Sequence, residues 1–326
     1  MLIWPSQLEI GDQKIENDDM GQLRRVACIG ECMLEFSEHA PGNFKLAFAG
    51  DTFNTAWYLC ARLGADWQVD YVTALGDDIY SAQMLSFFEA HHIGTACIKR
   101  IGNRRPGLYI IHQSEGDRHF TYWRGQSAAK QLADDSKFLR QSLSGAALVY
   151  FSGITLAILD APGRDRLLEE VKLAKSQGAT VAFDPNERPA LWESPFAMKA
   201  MIEKAGGIAN FVFPTFPDEQ VYFGDNSPEA VAVRYLKLGA SEVVVKNGAE
   251  AALVATFNQR YEIHPKSDVK SIDPTGAGDS FNGAYLAARV QGLNPVQAVK
   301  LAHEVAGIVI GHSGALVPMD KVRPAP

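Results

Sequence analysis

Short apolar segments alternate with longer segments of helical periodicity through most of the chain. This alternation is typical of a parallel sheet that is covered by helices on both faces. The apolar pattern predicts strands at residues 26–30, 70–74, 147–152, 180–184, 210–214 and 242–246. It predicts the intervening helices at residues 52–63, 81–91, 164–177 and 228–238. The predicted fold class is therefore α/β, with a doubly wound, mainly parallel sheet.

Two segments interrupt this rhythm, at about residues 35–49 and 107–124, and both have the character of antiparallel hairpins. A small antiparallel sheet on an α/β body is either a lid over a ligand site at the carboxyl ends of the strands or an addition without function. After residue 248 the pattern predicts strands and then two long helices, at 252–256, 260–264, 279–291 and 295–310. Residues 25–326 are thus predicted to form one domain, preceded by a loosely ordered extension at residues 1–24.

Composition and charge exclude several functional classes. The 326 residues carry 31 Lys and Arg against 38 Asp and Glu, a net charge of -7 without a basic cluster, which disfavours nucleic-acid binding. The chain contains no run of about 18 apolar residues, and its first 25 residues are too acidic for a signal or transit peptide. The four cysteines are scattered and predict reduced thiols. We expect a cytoplasmic protein with no membrane partner.

The most informative segment is Ile-Asp-Pro-Thr-Gly-Ala-Gly-Asp-Ser-Phe at residues 272–281. A glycine turn that enters a helix places the backbone N–H groups of Gly276, Ala277 and Gly278 at a helix N-terminus, where they form an anion hole. Asp279, in the first turn of that helix, is placed to accept a proton from an attacking hydroxyl. A simple glycine turn with an N-capping aspartate is the structural alternative. The dinucleotide-binding and Walker patterns do not fit this sequence.

Residues 273–286 resemble the C-terminal signature of the ribokinase-like (PfkB) carbohydrate kinases. Residues 50–56 resemble the glycine-and-asparagine sugar-binding turn of the same family, more than two hundred residues earlier and in the expected order. The resemblance extends roughly from residue 24 to the C-terminus and implies a ribokinase-like fold with a small β lid. Within the family, the resemblance is to the kinases of 2-keto-3-deoxygluconate. The segments that carry this closer resemblance are residues 30–35, 106–109, 122–124, 152–159, 184–189 and 244–248.

The resemblance implies a role for each side chain of the site. The residues implied to bind the sugar acid are Gly50, Asp51, Asn54, Tyr109, Tyr122, Arg124 and Arg188. The two arginines in this set are consistent with a substrate that carries a carboxylate, because a carboxylate needs a binding site with cationic groups or several hydrogen-bond donors. Taken one at a time, these residues also fit ordinary packing, ion pairs or helix caps.

The implied reaction transfers the γ-phosphoryl group of ATP, with Mg²⁺, to the 6-hydroxyl of the substrate, and Asp279 is the base. The residues implied at the nucleotide are Lys246, Asn247, Gly248, Thr275, Gly276 and Gly278, although Asn247-Gly248 also fits a plain hairpin turn. Members of the family carry an Asn-x-x-Glu motif for magnesium. Here Phe216 stands where Asn is expected, and Glu219 is the candidate acid, acting through water, with Asp218 as the alternative. Analogy with the family also allows a monovalent-cation site near Asp273 and Thr275, but no residue there requires one.

Other functions remain open from the sequence. A fructokinase or ribokinase of the same family keeps the chemistry and changes the acceptor, but a neutral sugar leaves Arg124 and Arg188 without a charge to neutralise. A sugar-acid sensor has no use for Asp279, and a nicotinamide oxidoreductase lacks its fingerprint in the first strand. The expected partner is a small sugar acid. Apolar lid residues also permit a homo-oligomer through the lid: Phe48, Tyr109, Ile111 and Phe120.

Overall fold

The computed structural model describes residues 23–40, 42–114, 117–266 and 269–323. Residues 1–22, which make up most of the predicted extension, lie outside the described residues. The strands in chain order are β1 (Arg24–Ile29), β2 (Met33–Ala40), β3 (Asn43–Ala49), β4 (Trp67–Leu75), β5 (Ile93–Gly94), β6 (Ile98–Arg100), β7 (Leu108–Ser114), β8 (Asp117–Trp123), β9 (Ala146–Ser152), β10 (Thr180–Asp184), β11 (Phe211–Val212), β12 (Glu242–Val245), β13 (Ala252–Thr256) and β14 (Arg260–Ile263).

Each predicted helix is present, and its ends lie within a few residues of the predicted ones. In chain order they are α1 (Asp51–Arg62), α2 (Ile79–Ala90), α3 (Ser136–Leu143), α4 (Gly153–Ile158), α5 (Ala161–Ser176), α6 (Pro195–Ile208), α7 (Phe216–Phe223), α8 (Pro228–Leu238), α9 (Ala277–Val290) and α10 (Pro295–Ile310). The pattern did not predict α3, α4, α6 and α7. For α6 a signal was present, because Ser194 accepts from the Ala197 N–H at 3.1 Å and Pro195 follows the cap.

The large sheet has the strand order β14-β13-β12-β11-β10-β9-β1-β4-β5, and β6 pairs with β4. All pairs from β12 to β5 are parallel, whereas β13 and β14 add antiparallel strands at one edge. This confirms the predicted parallel sheet. The strand predicted at residues 210–214 is shorter than expected, because Pro214 has no N–H to donate to a ladder.

Helices cover both faces of the sheet. Helices α1, α2, α9 and α10 contribute to one buried cluster, and α3, α5, α6 and α8 contribute to the other. Close contact between α1 and α9 depends on Gly283, where an added Cβ would lie 2.7 Å from the Thr55 carbonyl oxygen. This contact brings the first turns of α1 and α9 together, although more than two hundred residues separate them in sequence.

The second sheet has the order β3-β2-β7-β8 and occupies the two predicted lid segments. As predicted, β2 with β3 and β7 with β8 are antiparallel hairpins. A parallel pairing of β2 with β7 joins the two hairpins into one sheet. Within the part of the chain that the structure describes, no helix is long and apolar enough to span a membrane.

Candidate active site

A cleft of about 490 Å³ opens at the carboxyl ends of the parallel strands, beneath the lid. From β1 the chain crosses to β4 on one side and later returns to β9 on the other, so the strand order reverses beside β1. Parallel sheets bind ligands at such a switch point. The cleft is lined by all but one of the predicted site residues, namely Gly50, Asp51, Asn54, Tyr109, Tyr122, Arg124, Arg188, Lys246, Asn247, Gly248, Thr275, Gly276, Ala277, Gly278 and Asp279.

The glycine turn before α9 is held rigidly from both sides. Gly276 has a left-handed φ of 78°, and a Cβ there would lie 2.8 Å from the Ala315 carbonyl oxygen, so only glycine fits. The buried Asp273 carboxylate accepts from the backbone N–H groups of Thr275 at 3.0 Å and Gly314 at 2.7 Å. The turn therefore keeps its shape without a ligand.

The structure refines which amides can form the anion hole. The Ala277 N–H donates to the Pro274 carbonyl at 3.1 Å, so this amide, which was predicted to face the phosphoryl group, already has a partner. Within the described chain, the Gly276 and Gly278 N–H groups have no such partner. These two amides, at the positive end of the α9 dipole, are the ones available to an anion.

Asp279 lies in the first turn of α9 and accepts from the Asn54 side-chain amide at 2.8 Å. The Asn54 carbonyl oxygen in turn accepts from the Gly50 N–H at 3.3 Å, which fixes the orientation of the amide. Burial, and then the charge of Asp51, raise the pKa of Asp279 to about 7, against the lowering effects of the Asn54 bond and of Lys246. A carboxylate that titrates near neutrality suits a general base.

Asp51 is the first residue of α1, lines the cleft and accepts from the Asn186 side-chain amide at 3.0 Å. Asn186 has a left-handed φ of 35°, and its backbone N–H donates to Asp184 at 3.1 Å. Burial raises the pKa of Asp51. At Gly50 the chain approaches the segment after β1 so closely that a Cβ would lie 2.1 Å from the Glu31 carbonyl oxygen.

The two arginines differ in their partners. Arg124 forms an ion pair with the buried Glu31, with its Nε 2.9 Å from Glu31 Oε2, whereas Glu31 Oε1 is buried without a hydrogen-bond partner in the described chain. Arg188 is exposed, and among the described residues its one hydrogen-bond acceptor is the Glu187 carbonyl oxygen, at 2.6 Å. Burial raises the pKa of Tyr122 while the charges of both arginines oppose the rise, so both cations lie near this lid side chain.

The lid presents its aromatic side chains to the cleft. The Tyr109 hydroxyl donates to the buried Glu35 carboxylate, so this hydroxyl already has a partner within the lid. The rings of Tyr109 and Tyr122 lie 5.6 Å apart, centroid to centroid. Tyr122 remains 51% exposed and is free to contact a ligand.

Glu219 does not line the cleft, and this corrects the magnesium assignment. Its side chain is fully buried, paired with Arg234, and accepts from the Tyr235 hydroxyl at 2.8 Å. It also faces the Glu187 carboxyl, and burial, together with the charge of Glu219, raises the pKa of Glu187. Asp218, the neighbouring residue of α7, lines the cleft instead.

Comparison with known proteins agrees with this geometry. The family model described as pfkB family carbohydrate kinase matches residues 23–322. The chain belongs to the PfkB family of carbohydrate kinases. The 2-dehydro-3-deoxygluconokinase of Escherichia coli strain K12 is 38% identical over 304 residues, which cover 91% of this PfkB chain and 98% of the relative.

Solved structures confirm the predicted ribokinase-like fold of this PfkB protein. The 2-dehydro-3-deoxygluconokinase of Thermotoga maritima has a TM-score of 0.76 at 22% identity and covers 92% of this chain and 98% of that one. A ribokinase II of Escherichia coli in complex with ATP and Mg²⁺ has a TM-score of 0.80 at 21% identity, with the same coverage of 92% and 98%.

Several polar residues of this PfkB cleft were not assigned to the site from the sequence. Glu31, Asp184 and Asn186 line it, and each lies at or within two residues of the carboxyl end of a parallel strand of the large sheet. That position was the available signal, because ligands of α/β sheets contact residues just beyond the strand ends. Asp184 pairs with the Lys246 ammonium at 2.7 Å, which ties two strand ends together.

Proposed function

We propose that this protein transfers the γ-phosphoryl group of ATP to the 6-hydroxyl of 2-keto-3-deoxygluconate, giving 2-keto-3-deoxy-6-phosphogluconate and ADP. The observation that carries the proposal is the position of Asp279. Its carboxylate lies directly after an anion-binding glycine turn and is bonded to Asn54 of the sugar-binding turn. A base between a phosphoryl site and a sugar site suits phosphoryl transfer to a hydroxyl. The name of the 38% identical relative supports the acceptor.

In the proposed reaction, the bond between the γ-phosphorus and the β,γ-bridging oxygen breaks, and its electron pair leaves with ADP. A bond forms between the γ-phosphorus and the 6-oxygen, and the hydroxyl proton passes to Asp279. The Gly276 and Gly278 amides stabilise the charge on the phosphoryl oxygens. Asn54 orients the Asp279 carboxylate toward the acceptor hydroxyl through its 2.8 Å hydrogen bond.

The acidic residues of the cleft fit magnesium as a companion of the nucleotide. The described residues contain no group of three or more His, Cys, Asp or Glu that could hold a metal alone. Magnesium at nucleotide sites is usually held by one or two carboxylates together with phosphates and water. Asp218 lines the cleft and would serve as that carboxylate. When bound, magnesium neutralises charge on the ATP phosphates.

The arginines favour a sugar acid over a neutral sugar. Arg124 and Arg188 both line the cleft near Tyr122, on the lid side of the base. A carboxylate gains charge-assisted hydrogen bonds from such groups, whereas a neutral sugar leaves them uncompensated. A fructokinase or ribokinase activity is the alternative that the same chemistry allows.

The test measures ADP release with Mg-ATP and, separately, 2-keto-3-deoxygluconate, fructose, ribose and gluconate. We expect turnover with the keto-deoxy acid, and a loss of roughly 10²- to 10⁴-fold in kcat in Asp279→Asn, with ATP binding retained. Glu229→Gln is the matched control, since Glu229 is also an acid in the first turn of a helix but is exposed and pairs with Arg260. Preference for fructose or ribose would refute the sugar-acid proposal alone. Near-normal turnover by Asp279→Asn would refute the assigned base.

Association of two chains through the lid stays a prediction. It is supported by large apolar side chains that the lid leaves exposed. Phe44 is 44% exposed, Phe120 41% and Trp123 56%. Light scattering of wild type and Trp123→Glu at equal concentration distinguishes a lid-mediated dimer, which the variant would dissociate, from a monomer.

A further inference from the structure

Lys246 lies where the backbone leaves little freedom. It directly follows β12, and its N–H donates to the Pro214 carbonyl at 2.8 Å. Its own carbonyl accepts from the Phe216 N–H at 2.8 Å, at the first residue of α7. The base of the Lys246 side chain is therefore fixed between the end of one strand and the start of a helix.

The far end of the side chain is fixed as well. The ammonium lies 2.7 Å from Asp184 Oδ2, and the Lys246 side chain is only 11% exposed. The same carboxylate oxygen accepts from the Asn282 side-chain amide at 2.6 Å. Because Asn282 lies in α9, this network connects the lysine to the helix that carries the base. The cation is preorganised before any ligand binds.

The ammonium lies next to the reacting groups. A Cβ placed on Gly278 would be 3.6 Å from Lys246 Nζ, so the cation lies against the glycine turn. It is also close enough to Asp279 that its charge opposes the rise in the pKa of that carboxyl. Lys246 thus lies beside both the anion hole and the base, rather than only on an outer wall of the nucleotide site.

We infer that Lys246 is a catalytic residue whose ammonium contacts the phosphoryl group during its transfer from ATP to the acceptor hydroxyl. This inference rests on the proposed function and goes beyond a general role in nucleotide binding. The ammonium donates hydrogen bonds to the phosphoryl oxygens, where charge is spread in the transition state. Asp184 holds the ammonium in place and does not itself take part in the transfer.

Lys246 also contributes to the charge balance at the base. The charged and titratable groups around Asp279 are Asp51, Asp184, Lys246, Tyr58 and Tyr150. Lys246 is the one cation in this set, so its removal favours protonation of Asp279. A lysine that only neutralised a structural aspartate would become dispensable once that aspartate was replaced.

This difference defines the first experiment. Lys246→Met alone leaves Asp184 as an unpaired, buried charge and risks misfolding. The double variant Asp184→Asn with Lys246→Met removes both charges and is compared with Asp184→Asn. We expect kcat to fall roughly 10²- to 10³-fold in this comparison, as for the loss of one transition-state donor. The KM for ATP should change little. Equal kcat values would show that Lys246 only balances Asp184 and would overturn the inference.

The matched control removes an ion pair of the same type far from the cleft. Lys204 pairs with Asp165 at 2.6 Å on the surface, with side chains 45% and 59% exposed. Asp165→Asn with Lys204→Met is expected to match the wild type in kcat and in ATP KM. A similar loss in this control would mean that the assay reports a general effect of charge removal, and the inference would lose its support.

A second readout does not depend on turnover. The titration of Asp279 is followed by ¹³C NMR of the ligand-free protein with labelled aspartate carboxyl groups, and Asp279→Asn assigns the signal. The midpoint is expected to be higher in the double variant than in Asp184→Asn. An unchanged midpoint would place Lys246 too far from the base and overturn the inference. A wild type inactive with every acceptor would instead refute the proposed function, while this titration still tests the position of Lys246.

Discussion

The floor of the cleft and the lid above it are built differently. On the floor, Asp279, Asn54 and Lys246 each have a protein partner within 2.8 Å, although they come from distant parts of the chain. In the lid, Tyr122 is 51% exposed and Trp123 56% exposed, although Leu34 of β2 and Phe48 of β3 pack against the core of the body. Asp279, the proposed base, and its neighbours are thus fixed by side-chain partners, whereas lid side chains that we propose to contact the substrate remain about half-exposed.

The floor is therefore expected to be less tolerant of small changes than the lid. Gly276→Ala tests this most strongly, because one added methyl group would lie 2.8 Å from the Ala315 carbonyl oxygen at a φ of 78°. The glycine turn must then move, and the Gly276 and Gly278 amides lose their alignment. We expect kcat to fall at least about 10²-fold, as when an oxyanion-hole donor is lost. Steady-state kinetics with saturating ATP measures it.

Gly224→Ala is the control for backbone strain. Gly224 ends α7 with a φ of 80°, nearly that of Gly276, but an added Cβ meets nothing within 4 Å. The strain is therefore similar, about 1 kcal/mol, without the collision. This variant should lose a little stability and keep its kcat. If Gly276→Ala and Gly224→Ala had the same kcat, the collision at Gly276 would not matter for activity, and the floor would be no less tolerant of small changes than the rest of the molecule.

Arg124 and Arg188 both line the cleft, one beside the lid and one in the body, so variants of the two allow the lid and the body to be compared. Arg124, directly after β8, neutralises the buried Glu31, whereas Arg188 has a backbone carbonyl as its one partner among the residues that the structure describes. Arg188→Met removes one charge-assisted contact, and we expect the KM for the sugar acid to rise roughly 10-fold. Arg124→Met also leaves Glu31 uncompensated beside the substrate carboxylate, and we expect a rise of roughly 10²-fold or more.

Glu31→Gln shows whether the larger effect comes from the unpaired carboxylate. Combined with Arg124→Met, it should lower the KM back toward that of Arg188→Met, because the repulsive charge is gone. KM and kcat for the sugar acid are measured at saturating ATP in the wild type, in Arg188→Met, in Arg124→Met and in the double variant. No recovery in the double variant would mean that Arg124 acts by direct contact alone, and lid and body would then contribute in the same way.

The regular part of the fold was predictable from the sequence, because strand and helix periods follow burial on the sheet. Helix Pro228–Leu238 and strand Ala252–Thr256 have the predicted bounds. Helix α6 was missed despite its cap signal. Its last turn contains Gly206 and Gly207, and at Gly206 an added Cβ would lie 2.8 Å from the Tyr235 ring. Close packing on another helix explains this glycine, and such a contact cannot be deduced from local pattern.

The cleft residues were predictable from motifs, but their partners were not. Adjacent residues on a helix point about 100° apart, so the sequence could not decide whether Asp218 or Glu219 faces the cleft. The buried partners of Glu219, Arg234 and Tyr235, decide it. The pairing of Lys246 with Asp184 joins residues 62 positions apart and depends on the register of the sheet.

The last expected effect concerns stability rather than activity and follows from the burial of Asp279, the proposed base. The pKa of Asp279 in the folded protein, about 7, lies above its ordinary value of 3.8. Ionisation of Asp279 therefore opposes folding, and the protein loses stability as the pH rises from about 4 through 7. Asp279→Asn cannot ionise. We expect it to be more stable than the wild type at pH 8, by up to about 4 kcal/mol because each pKa unit is worth about 1.4 kcal/mol, and close to the wild type in stability near pH 4.

Urea denaturation at pH 4, 6 and 8 measures this difference. Asp165→Asn is the control, since Asp165 is exposed and its loss should change the free energy of unfolding by less than about 0.5 kcal/mol. A stability difference between Asp279→Asn and wild type that does not grow with pH would contradict the raised pKa of the base. A growing difference would show that the floor holds its base at a cost to folding, because the buried position that raises its pKa also disfavours its charge.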